Sequence, residues 1–510
     1  MKKIFLAFLM VCTMLTSCDM DKTPWGKLDD ETGLQSVNDA YRFRNGFYRS
    51  LRGMNVGGYF AYPDIQCDQF MGLTSNGNRM GQYSNALFTS GESHFASFWA
   101  GCYSGIASVN YFIGKVTPMV ESGNFTGEDL AQLKRYIGEA KFYRAYRYWF
   151  LLDKFCEDYT KVGGNTPAKG LPLVTEYNPT GDTSKYPGRS TQDETYTLIE
   201  NDLNEAYAAL KEYEASGVSG SKDNLAPMAK YLSSWAVVAL QARVALLKGD
   251  YQTAYNKATE VIESGVYTLA DTDNYADMWT NDNSQEIIFR PAASTTELPG
   301  STGGYYLGTD QKSADYIPTQ EVLYAYNDDD VRFGAFFKQL QVEVEGSRYG
   351  VYAFNKFPGN PDLKVSSTTP NFQNYAKVFR LSEMYLIAVE AGARVNMTGA
   401  NKYMNDFMKN RYTAYEEENF SDATSLTTAV RNERYLEFIG EGMRLSDLRR
   451  WNQGFSRSID YSRVNPSAAG IIVPLGAVTY SSGDYRLVWP IPSDEIESNP
   501  QLRGQQNPGY

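Results

Sequence analysis

In this 510-residue chain, one segment constrains the possible folds more than any other. Residues 128–157 have the apolar spacing of a long helix, with Leu130, Leu133 and Ile137 three or four positions apart. The second half of the segment, 142–150, reads Phe-Tyr-Arg-Ala-Tyr-Arg-Tyr-Trp-Phe and places aromatic rings on most faces of that helix. Such a helix must be surrounded by protein. We therefore expect a body of several packed helices.

The rest of the chain alternates predicted helices with loops that are rich in Tyr, Gly, Asn and Asp. Between 266 and 375, short β-branched or aromatic runs at 286–290 and 341–344 favour loops with a few strands. The predicted class is mainly all-α, with a loop-rich face that contains a few short strands. The further helices are predicted at 35–52, 95–120, 191–214, 227–248, 251–264, 376–395, 399–412 and 425–451.

Three pairs of these helices resemble the 34-residue tetratricopeptide repeat. In 235–268, small residues at Ala242, Ala254 and Ala258 would let two helices approach closely, and Gly249-Asp250 would form the turn between them. The second pair is expected at 378–412, and the third joins helix 128–157 to helix 191–214. The predicted scaffold is thus spread over 128–264 and 376–451, and generic helix packing is the alternative.

The N-terminus has the pattern of a secretory signal. A basic start, Met1 to Lys3, precedes an apolar run from Ile4 to Leu15 that is too short to cross a bilayer. The following Thr-Ser-Cys resembles the lipobox of bacterial lipoproteins, in which the Cys, here Cys18, becomes the lipidated N-terminus. We predict a signal segment at 1–17 and a single domain at 18–510 that meets the membrane only through its lipid. A plain signal peptide is the alternative.

Charge and the rare residue types exclude several functions. The formal net charge of −12 argues against a nucleic-acid partner, because such proteins need a basic face. The single histidine, His94, rules out a two-His metal site within the chain and is interpreted as a loop or helix-start residue. Cys67, Cys102 and Cys156 allow at most one disulfide in the mature protein, and their spacing fits no metal or redox motif.

Ordered motifs along the chain resemble the RagB/SusD family of nutrient-uptake outer-membrane lipoproteins. Residues 441–451, Glu-Gly-Met-Arg-Leu-Ser-Asp-Leu-Arg-Arg-Trp, resemble its ExGxRxxDLxRW segment, and 138–146 and 380–388 resemble two of its helices. The ending from 489 to 510, which contains Pro-Ile-Pro and closes with Gln-Asn-Pro-Gly-Tyr, is similar to the family ending almost letter for letter. The resemblance extends over the whole chain, with an N-terminal part at about 18–215 and a C-terminal part at about 266–510.

The resemblance implies a location, a partner and an activity. Family members lie on the outer face of the outer membrane and act as hinged lids over a TonB-dependent transporter of the SusC type. They capture oligosaccharides, or peptides in some members, and are not enzymes. Their tetratricopeptide-like helix pairs support a loop-rich binding face, and no cofactor is implied.

A neutral sugar needs flat aromatic rings to stack on and polar groups that bind its hydroxyls. Two loops of the chain combine these residue types, and we predict the ligand site there. The alternative is loop packing for each tyrosine, and a turn or a helix cap for Asp64 and Asp68. The candidates are Tyr59, Tyr62, Asp64, Asp68, Asn76, Arg79 and Tyr83 in the first loop and Tyr305, Tyr306, Asp315 and Tyr316 in the second. Replacing Tyr62 or Tyr306 by Ala is expected to weaken ligand retention with little loss of stability.

The charged residues of the predicted helix 425–451 suggest structure and not chemistry. Glu441, Arg444, Asp447 and Arg450 are spaced for i,i+3 ion pairs, and they are predicted to form a partly buried ladder. Glu437 and Glu441 would be a possible catalytic pair. Neighbouring arginines would lower their pKa values, however, whereas a general acid needs a raised pKa.

Several alternatives remain open on the sequence alone. Ca²⁺ could bind at 327–330 or at Asp271 and Asp273, but both lack the Gly and the distant Glu of an EF-hand loop, so solvated turns are expected. A peptide-capturing member would need charged pockets. A surface glycosidase would need two carboxylates across a cleft. A helical scaffold without a small ligand would leave the two loops buried and apart.

Overall fold

The computed structural model describes residues 33–74, 78–367, 370–457, 469–473 and 475–510. The predicted signal segment 1–17, the predicted lipid-bearing Cys18 and the candidate Asn76 lie outside these residues. Helices dominate the described part of the chain, which confirms the predicted mainly-α class.

The two longest helices, α4 and α5, have 29 residues each. In chain order the helices are α1 (Val37–Met54), α2 (Gly58–Ile65), α3 (Gly81–Ser84), α4 (Ser93–Glu121), α5 (Gly127–Phe155), α6 (Tyr159–Val162), α7 (Gln192–Ala215), α8 (Ser234–Lys248), α9 (Tyr251–Glu263), α10 (Asp277–Thr280), α11 (Gln320–Ala325), α12 (Val331–Phe336), α13 (Leu381–Val395), α14 (Met397–Met408), α15 (Ala423–Glu437), α16 (Arg444–Arg450) and α17 (Ser493–Ser498).

The strands form small antiparallel pairs: β4 and β5 form a hairpin, and the other pairs join parts of the chain that lie further apart. Strand β1 pairs with β3, β2 with β6, β4 with β5 and β7 with β8. The prediction of a few strands between 266 and 375 is confirmed by β2 to β5. The strands are β1 (Phe70–Gly72), β2 (Ile287–Phe289), β3 (Tyr316–Pro318), β4 (Phe337–Val344), β5 (Ser347–Phe354), β6 (Phe379–Arg380), β7 (Phe455–Arg457) and β8 (Val478–Tyr480).

The predicted helix pairs form the scaffold. Helix α5 packs on α7, α8 on α9 and α13 on α14, and α9 also packs on α13. Glycines allow the closest approaches. A Cβ on Gly138 would lie 2.6 Å from the Cβ of Ala209, and a Cβ on Gly392 would lie 2.8 Å from the Cβ of Ala400. Both distances are shorter than a carbon–carbon contact allows, so the helices could not pack as they do with a larger residue at either position.

The turn between α8 and α9 has the predicted residues. Gly249 ends α8 with a φ of +80°, a left-handed conformation that glycine adopts without strain. Asp250 then begins α9 by accepting a hydrogen bond from the Thr253 N–H at 3.0 Å.

The aromatic half of α5 is buried, as its sequence predicts. Phe142, Tyr143 and Tyr148 lie in the core. Charged residues lie between these rings, and burying a charge is costly unless it is paired or hydrogen-bonded. Arg144, for example, donates two hydrogen bonds of 2.7 Å to Asp202 of α7.

The prediction of one helix at 425–451 is wrong, because the structure has two helices, α15 and α16. Between them Gly440 and Gly442 have φ values of +79° and +74°, which end the helical course. A Cβ on Gly440 would lie 2.7 Å from Cε1 of Phe354. The chain therefore turns sharply against the β4–β5 hairpin.

This break also changes the predicted ion-pair ladder. The Asp447–Arg450 pair is present at 2.8 Å. Glu441 instead pairs with Lys356 and Arg380, and Arg444 pairs with Asp68. An i,i+3 pair needs an uninterrupted helix, and Glu441 lies before the start of α16.

Two other helices begin later than predicted, for one reason. Residues 228–229 run beside strand β2 before α8 begins at Ser234: the Met228 N–H donates to the Ile287 carbonyl at 2.7 Å, and the Arg290 N–H donates to the Ala229 carbonyl at 2.9 Å. On its other side β2 pairs with β6, which occupies 379–380 directly before α13. Backbone pairing with β2 thus replaces the first turn of both predicted helices.

None of the helices in the described residues combines the length and the apolar character that crossing a bilayer requires. Cys67, Cys102 and Cys156 are buried free thiols.

Candidate ligand-binding site

The two loops in which the sequence predicts a ligand site meet in the structure. Strand β1, from the first loop region, pairs with β3 from the second. The Gly57 N–H donates to the Thr302 hydroxyl at 2.8 Å. The Tyr305 ring lies against Gly57 and Gly58, and a Cβ on Gly58 would lie 3.1 Å from Tyr305 Oη. Glycine at these positions therefore lets the second loop close onto the first.

Four rings lie together where the loops meet, and we call them the aromatic face: Tyr59, Tyr62, His94 and Tyr305. The Tyr62 ring lies at the centre, with its centroid 4.3 Å from that of His94 and 6.2 Å from that of Tyr305. Phe98 of α4 lies behind it, 5.7 Å from Tyr62 and 4.6 Å from Tyr59. His94 is exposed, Tyr59 and Tyr305 are partly exposed, and Tyr62 is almost completely buried. Only the outer rings offer surface to a ligand.

A guanidinium adjoins this face. Arg79 pairs with the buried Asp315 and donates a 3.1 Å hydrogen bond to the Gly304 carbonyl. Its side chain is nevertheless 58% exposed, so its remaining donors can reach a ligand. Asp315, only 1% exposed, holds Arg79 in place and does not contact solvent.

His94 was not among the ligand contacts predicted from the sequence, which indicated only a loop or helix-start residue. The residue is indeed the second of α4. Its ring adds to the face because α4 begins beside Tyr62. Partial desolvation by the neighbouring rings lowers the pKa of His94 from its usual value, and the charge of Glu92 opposes this shift. No sequence signal distinguishes this His from an ordinary helix-start residue.

Three predicted tyrosines belong to the core and not to the surface. Tyr306 packs between Phe70 and Phe354, each at 4.7 Å between ring centroids. Tyr83 is buried under Tyr62, and the buried Tyr316 donates a 2.7 Å hydrogen bond to Asn78. A ring without accessible surface cannot stack on a sugar, so the structure corrects the prediction for these three tyrosines, and also for Tyr62, which is 4% exposed.

Asp64 and Asp68 hold the C-terminal motif against the first loop. Asp64 is fully buried and accepts hydrogen bonds from the N–H groups of Gly442 at 2.9 Å and Arg444 at 3.3 Å. Asp68 accepts two hydrogen bonds from the Arg444 guanidinium, at 2.9 and 2.7 Å. Burial raises the pKa of Asp64 to about 7, and the hydrogen bond from Gly442 opposes that rise. Both carboxylates accept hydrogen bonds from the protein itself, so the structure removes them from the candidate ligand contacts.

The carboxylates of the C-terminal motif lie in a buried ionic cluster. Glu437 pairs with Arg380 at 2.8 Å and with Arg411 at 2.9 Å, and Arg411 also pairs with Glu286 at 3.0 Å. Burial would raise the pKa of Glu437, but Arg411 and Arg380 hold it well below its usual value. This direction agrees with the structural interpretation of Glu437 and Glu441, since a general acid needs the opposite shift.

The described residues contain no group of three or more His, Cys, Asp or Glu side chains that could hold a metal ion. Asp330, from the candidate calcium segment 327–330, instead caps α12 and pairs with Arg332 at 2.7 Å. Asp271 accepts hydrogen bonds from the Asp273 and Asn274 N–H groups, as expected for a turn.

The fold and this face together define a class: a protein of stacked helix pairs that presents aromatic rings and a guanidinium on its loops. Comparison with known proteins identifies the family. The sequence pattern of the SusD family matches residues 251–510, and a pattern described as "starch-binding associating with outer membrane" matches residues 45–246. The chain belongs to the SusD family.

Individual relatives agree over nearly the whole chain. SusD-like protein P25 of Formosa agariphila is 21% identical, and the match covers 95% of both chains. A crystal structure of a SusD superfamily protein from Bacteroides thetaiotaomicron superposes with a TM-score of 0.76 at 25% identity, covering 93% of this chain and 100% of that one. A structure named a laminarin binding SusD-like protein has the same fold, with a TM-score of 0.67 at 22% identity and coverages of 94% and 100%.

Proposed function

We propose that this protein is a lipoprotein of the outer face of the outer membrane that binds oligosaccharides and delivers them to a TonB-dependent transporter of the SusC type. Membership of the SusD family supports the transport role. The aromatic face supports the ligand class, and it is the single observation on which the binding proposal depends.

The face has the chemistry that a sugar requires. One stacked pyranose face buries about 50 Å² of apolar surface, which contributes about 1.3 kcal/mol. Tyr305 and His94 each offer one such surface next to Tyr62. Arg79 adds hydrogen-bond donors next to Tyr305. Two stacked faces at about 1.3 kcal/mol each and one hydrogen bond from Arg79 of about 1.5–3 kcal/mol sum to about 4–6 kcal/mol. This corresponds to a dissociation constant between about 0.1 and 1 mM, which suits capture followed by release.

The nature of the glycan is suggested only by relatives. One matched family pattern is described as starch-binding, and one structural neighbour is named for laminarin. We therefore choose starch, an α-glucan, and laminarin, a β-glucan, as the first two probes for this protein.

Affinity electrophoresis in gels that contain starch, laminarin or other polysaccharides tests the binding. We expect at least one glycan to retard the protein, and Tyr305→Ala and Arg79→Ala to reduce that retardation. Tyr177→Ala is the matched control. Tyr177 is also exposed, but it contacts Tyr111, which lies 17 positions along α4 from His94 and therefore about 25 Å away.

The outcomes separate the alternatives. Retention by glycans that Tyr305→Ala leaves unchanged would remove the aromatic face from the proposal. Failure on every glycan together with calorimetric binding of peptides would favour the peptide-capturing alternative. Release of shorter sugars from the glycan would favour a glycosidase.

Two further experiments test the anchor and the partner. Mass spectrometry of the mature protein should find acyl chains on Cys18, and Cys18→Ala should release the protein from the outer membrane. Affinity purification of the tagged, lipidated protein from solubilised outer membranes should recover a SusC-type transporter. Recovery of the protein without a transporter would contradict the proposed delivery.

A further inference from the structure

A second open cavity lies far from the aromatic face. Its volume is about 410 Å³, within the range of small-molecule sites. Arg135 of α5, Tyr213 of α7 and the segment 219–231 line it. Arg135 lies 15 positions along α5 from Phe150, the residue that contacts Tyr59 of the aromatic face, so the two sites are separated by about 22 Å. We call it the α5–α7 cavity.

The charge behind this cavity is unbalanced. Two guanidiniums, those of Arg44 and Arg135, share the single carboxylate of Glu139, and all three residues are buried. On the rim, Lys230 and Asp223 cancel in formal charge. The cavity and the ion cluster behind it therefore carry one excess positive charge.

Arg135 has an unused donor. Its residue is 7% exposed, and its Nη2 donates to no residue in the described ranges. The Nε is already committed to Glu139 at 2.8 Å. A buried guanidinium donor without an acceptor is costly. An anionic group in the cavity would provide an acceptor once the Arg135 side chain turns toward it.

The other lining groups suit a polar ring with hydroxyls. The Arg135 guanidinium lies 4.5 Å from the Tyr213 ring and 5.7 Å from the Tyr231 ring, so both rings adjoin the charge. Asn224 Oδ1 accepts the Tyr231 N–H at 3.2 Å, which leaves Asn224 Nδ2 as a donor. Ser219 adds a hydroxyl.

The wall of the cavity is formed before any ligand arrives. Met228 has a left-handed backbone with a φ of +59°, which is unusual for a residue with a side chain. The pairing of its N–H with Ile287 on β2 maintains this conformation. A site held in this way loses little free energy to ordering when a ligand binds.

We infer that the α5–α7 cavity is a second ligand site, which binds a carboxylate-bearing sugar such as a hexuronate. The carboxylate accepts from Arg135, the ring lies beside Tyr213 and Tyr231, and the hydroxyls bind Asn224 and Ser219. The site is separate from the aromatic face, so Tyr305→Ala should leave it intact.

Isothermal titration calorimetry on the whole mature protein tests the inference with sodium galacturonate as the probe. Galactose, which lacks the carboxylate, and sodium acetate, which lacks the ring, are the matched ligands. We expect galacturonate to bind, galactose and acetate to bind at least about tenfold more weakly, and affinity to fall with added salt.

Variants on the rim keep the core intact. Lys230→Glu and Asn224→Asp each place a negative charge at the cavity and should weaken galacturonate binding about tenfold. Lys222→Glu is the control. Lys222 is exposed in the same segment but does not line the cavity, and its replacement makes the same charge change as Lys230→Glu. This variant should bind galacturonate as the wild type does. Thermal melting of each variant verifies folding.

Three results would overturn the inference: no heat from galacturonate at millimolar concentration, equal affinity for galactose, or an equal loss in Lys222→Glu and Lys230→Glu. Loss of galacturonate binding in Tyr305→Ala alone would assign the ligand to the aromatic face instead. Because these variants lie outside that face, the result does not depend on whether the proposed oligosaccharide binding is correct.

Discussion

Tyr305 and Tyr306 are neighbours in the chain but lie in opposite environments, so replacing them by Ala should have opposite effects. Tyr306 is 0% exposed and packs between Phe70 and Phe354. Removing a buried aromatic ring costs about 3–5 kcal/mol. The entropy of unfolding for about 500 residues, at about 2.1 cal/mol/K each, is about 1 kcal/mol/K, so Tm should fall by about 3–5 °C. The sequence-based expectation that Tyr306→Ala spares stability is therefore replaced by its opposite.

Tyr305 should behave in the converse way. Its ring is partly exposed, so Tyr305→Ala should lower Tm by no more than about 1–2 °C. Loss of one stacked sugar, about 1.3 kcal/mol, should raise the dissociation constant about tenfold. Differential scanning calorimetry gives the first quantity and affinity electrophoresis or calorimetry with the bound glycan gives the second. The reasoning is refuted if Tyr306→Ala keeps its Tm, or if Tyr305→Ala melts early and still binds its glycan.

Three further predictions concern the C-terminal motif. The pKa of Asp64 is raised to about 7 in the folded protein, so the folded state favours the protonated carboxyl. The contribution of this carboxyl to the free energy of unfolding is therefore complete below about pH 4 and is lost as pH rises through 7. The Tm of the wild type relative to Asp64→Asn should therefore decrease from pH 4 to pH 7 and then level off, and a constant difference would contradict this. Gly440→Ala should lower the free energy of unfolding by about 2 kcal/mol or more, because Gly440 has a left-handed backbone and lies against Phe354. Gly114→Ala, in open space on α4, is the control and should be neutral or stabilising. Equal urea midpoints for the two variants would contradict the prediction for Gly440. Arg411→Met should lower the free energy of unfolding by about 3–5 kcal/mol, because it removes one partner from the buried carboxylates of Glu286 and Glu437. A Tm equal to that of the wild type would disprove the stabilising role of the ionic cluster.

Local patterns were sufficient for much of the fold. The spacing of apolar residues predicted α5 and α7 to within two residues at each end, because burial of one stripe or of all faces leaves a periodic trace. The turn at Gly249-Asp250 was predicted because its chemistry lies in adjacent residues. The start of α8 was predicted wrongly, because it depends on the pairing of Met228 and Ala229 with β2, which joins positions about 60 residues apart.

The candidate site shows the same division. Composition predicted a ligand site in the two aromatic loops, and the structure brings these loops together. It could not indicate which tyrosines face outward, since Tyr305 and Tyr306 have the same side chain and neighbouring positions. Nor could it indicate that Asp64 and Asp68 face inward, because their partners Gly442 and Arg444 lie more than 370 positions away.

The sequence by itself determined the helical class, the pairing of helices and the family resemblance, because these depend on periodicity and on ordered local motifs. The tertiary structure alone decided which rings are exposed, that His94 joins the aromatic face, that the C-terminal motif breaks into two helices, and that a guanidinium with one unused donor lines the α5–α7 cavity. Exposure and charge balance depend on what surrounds a side chain, and most of those neighbours come from distant parts of the chain.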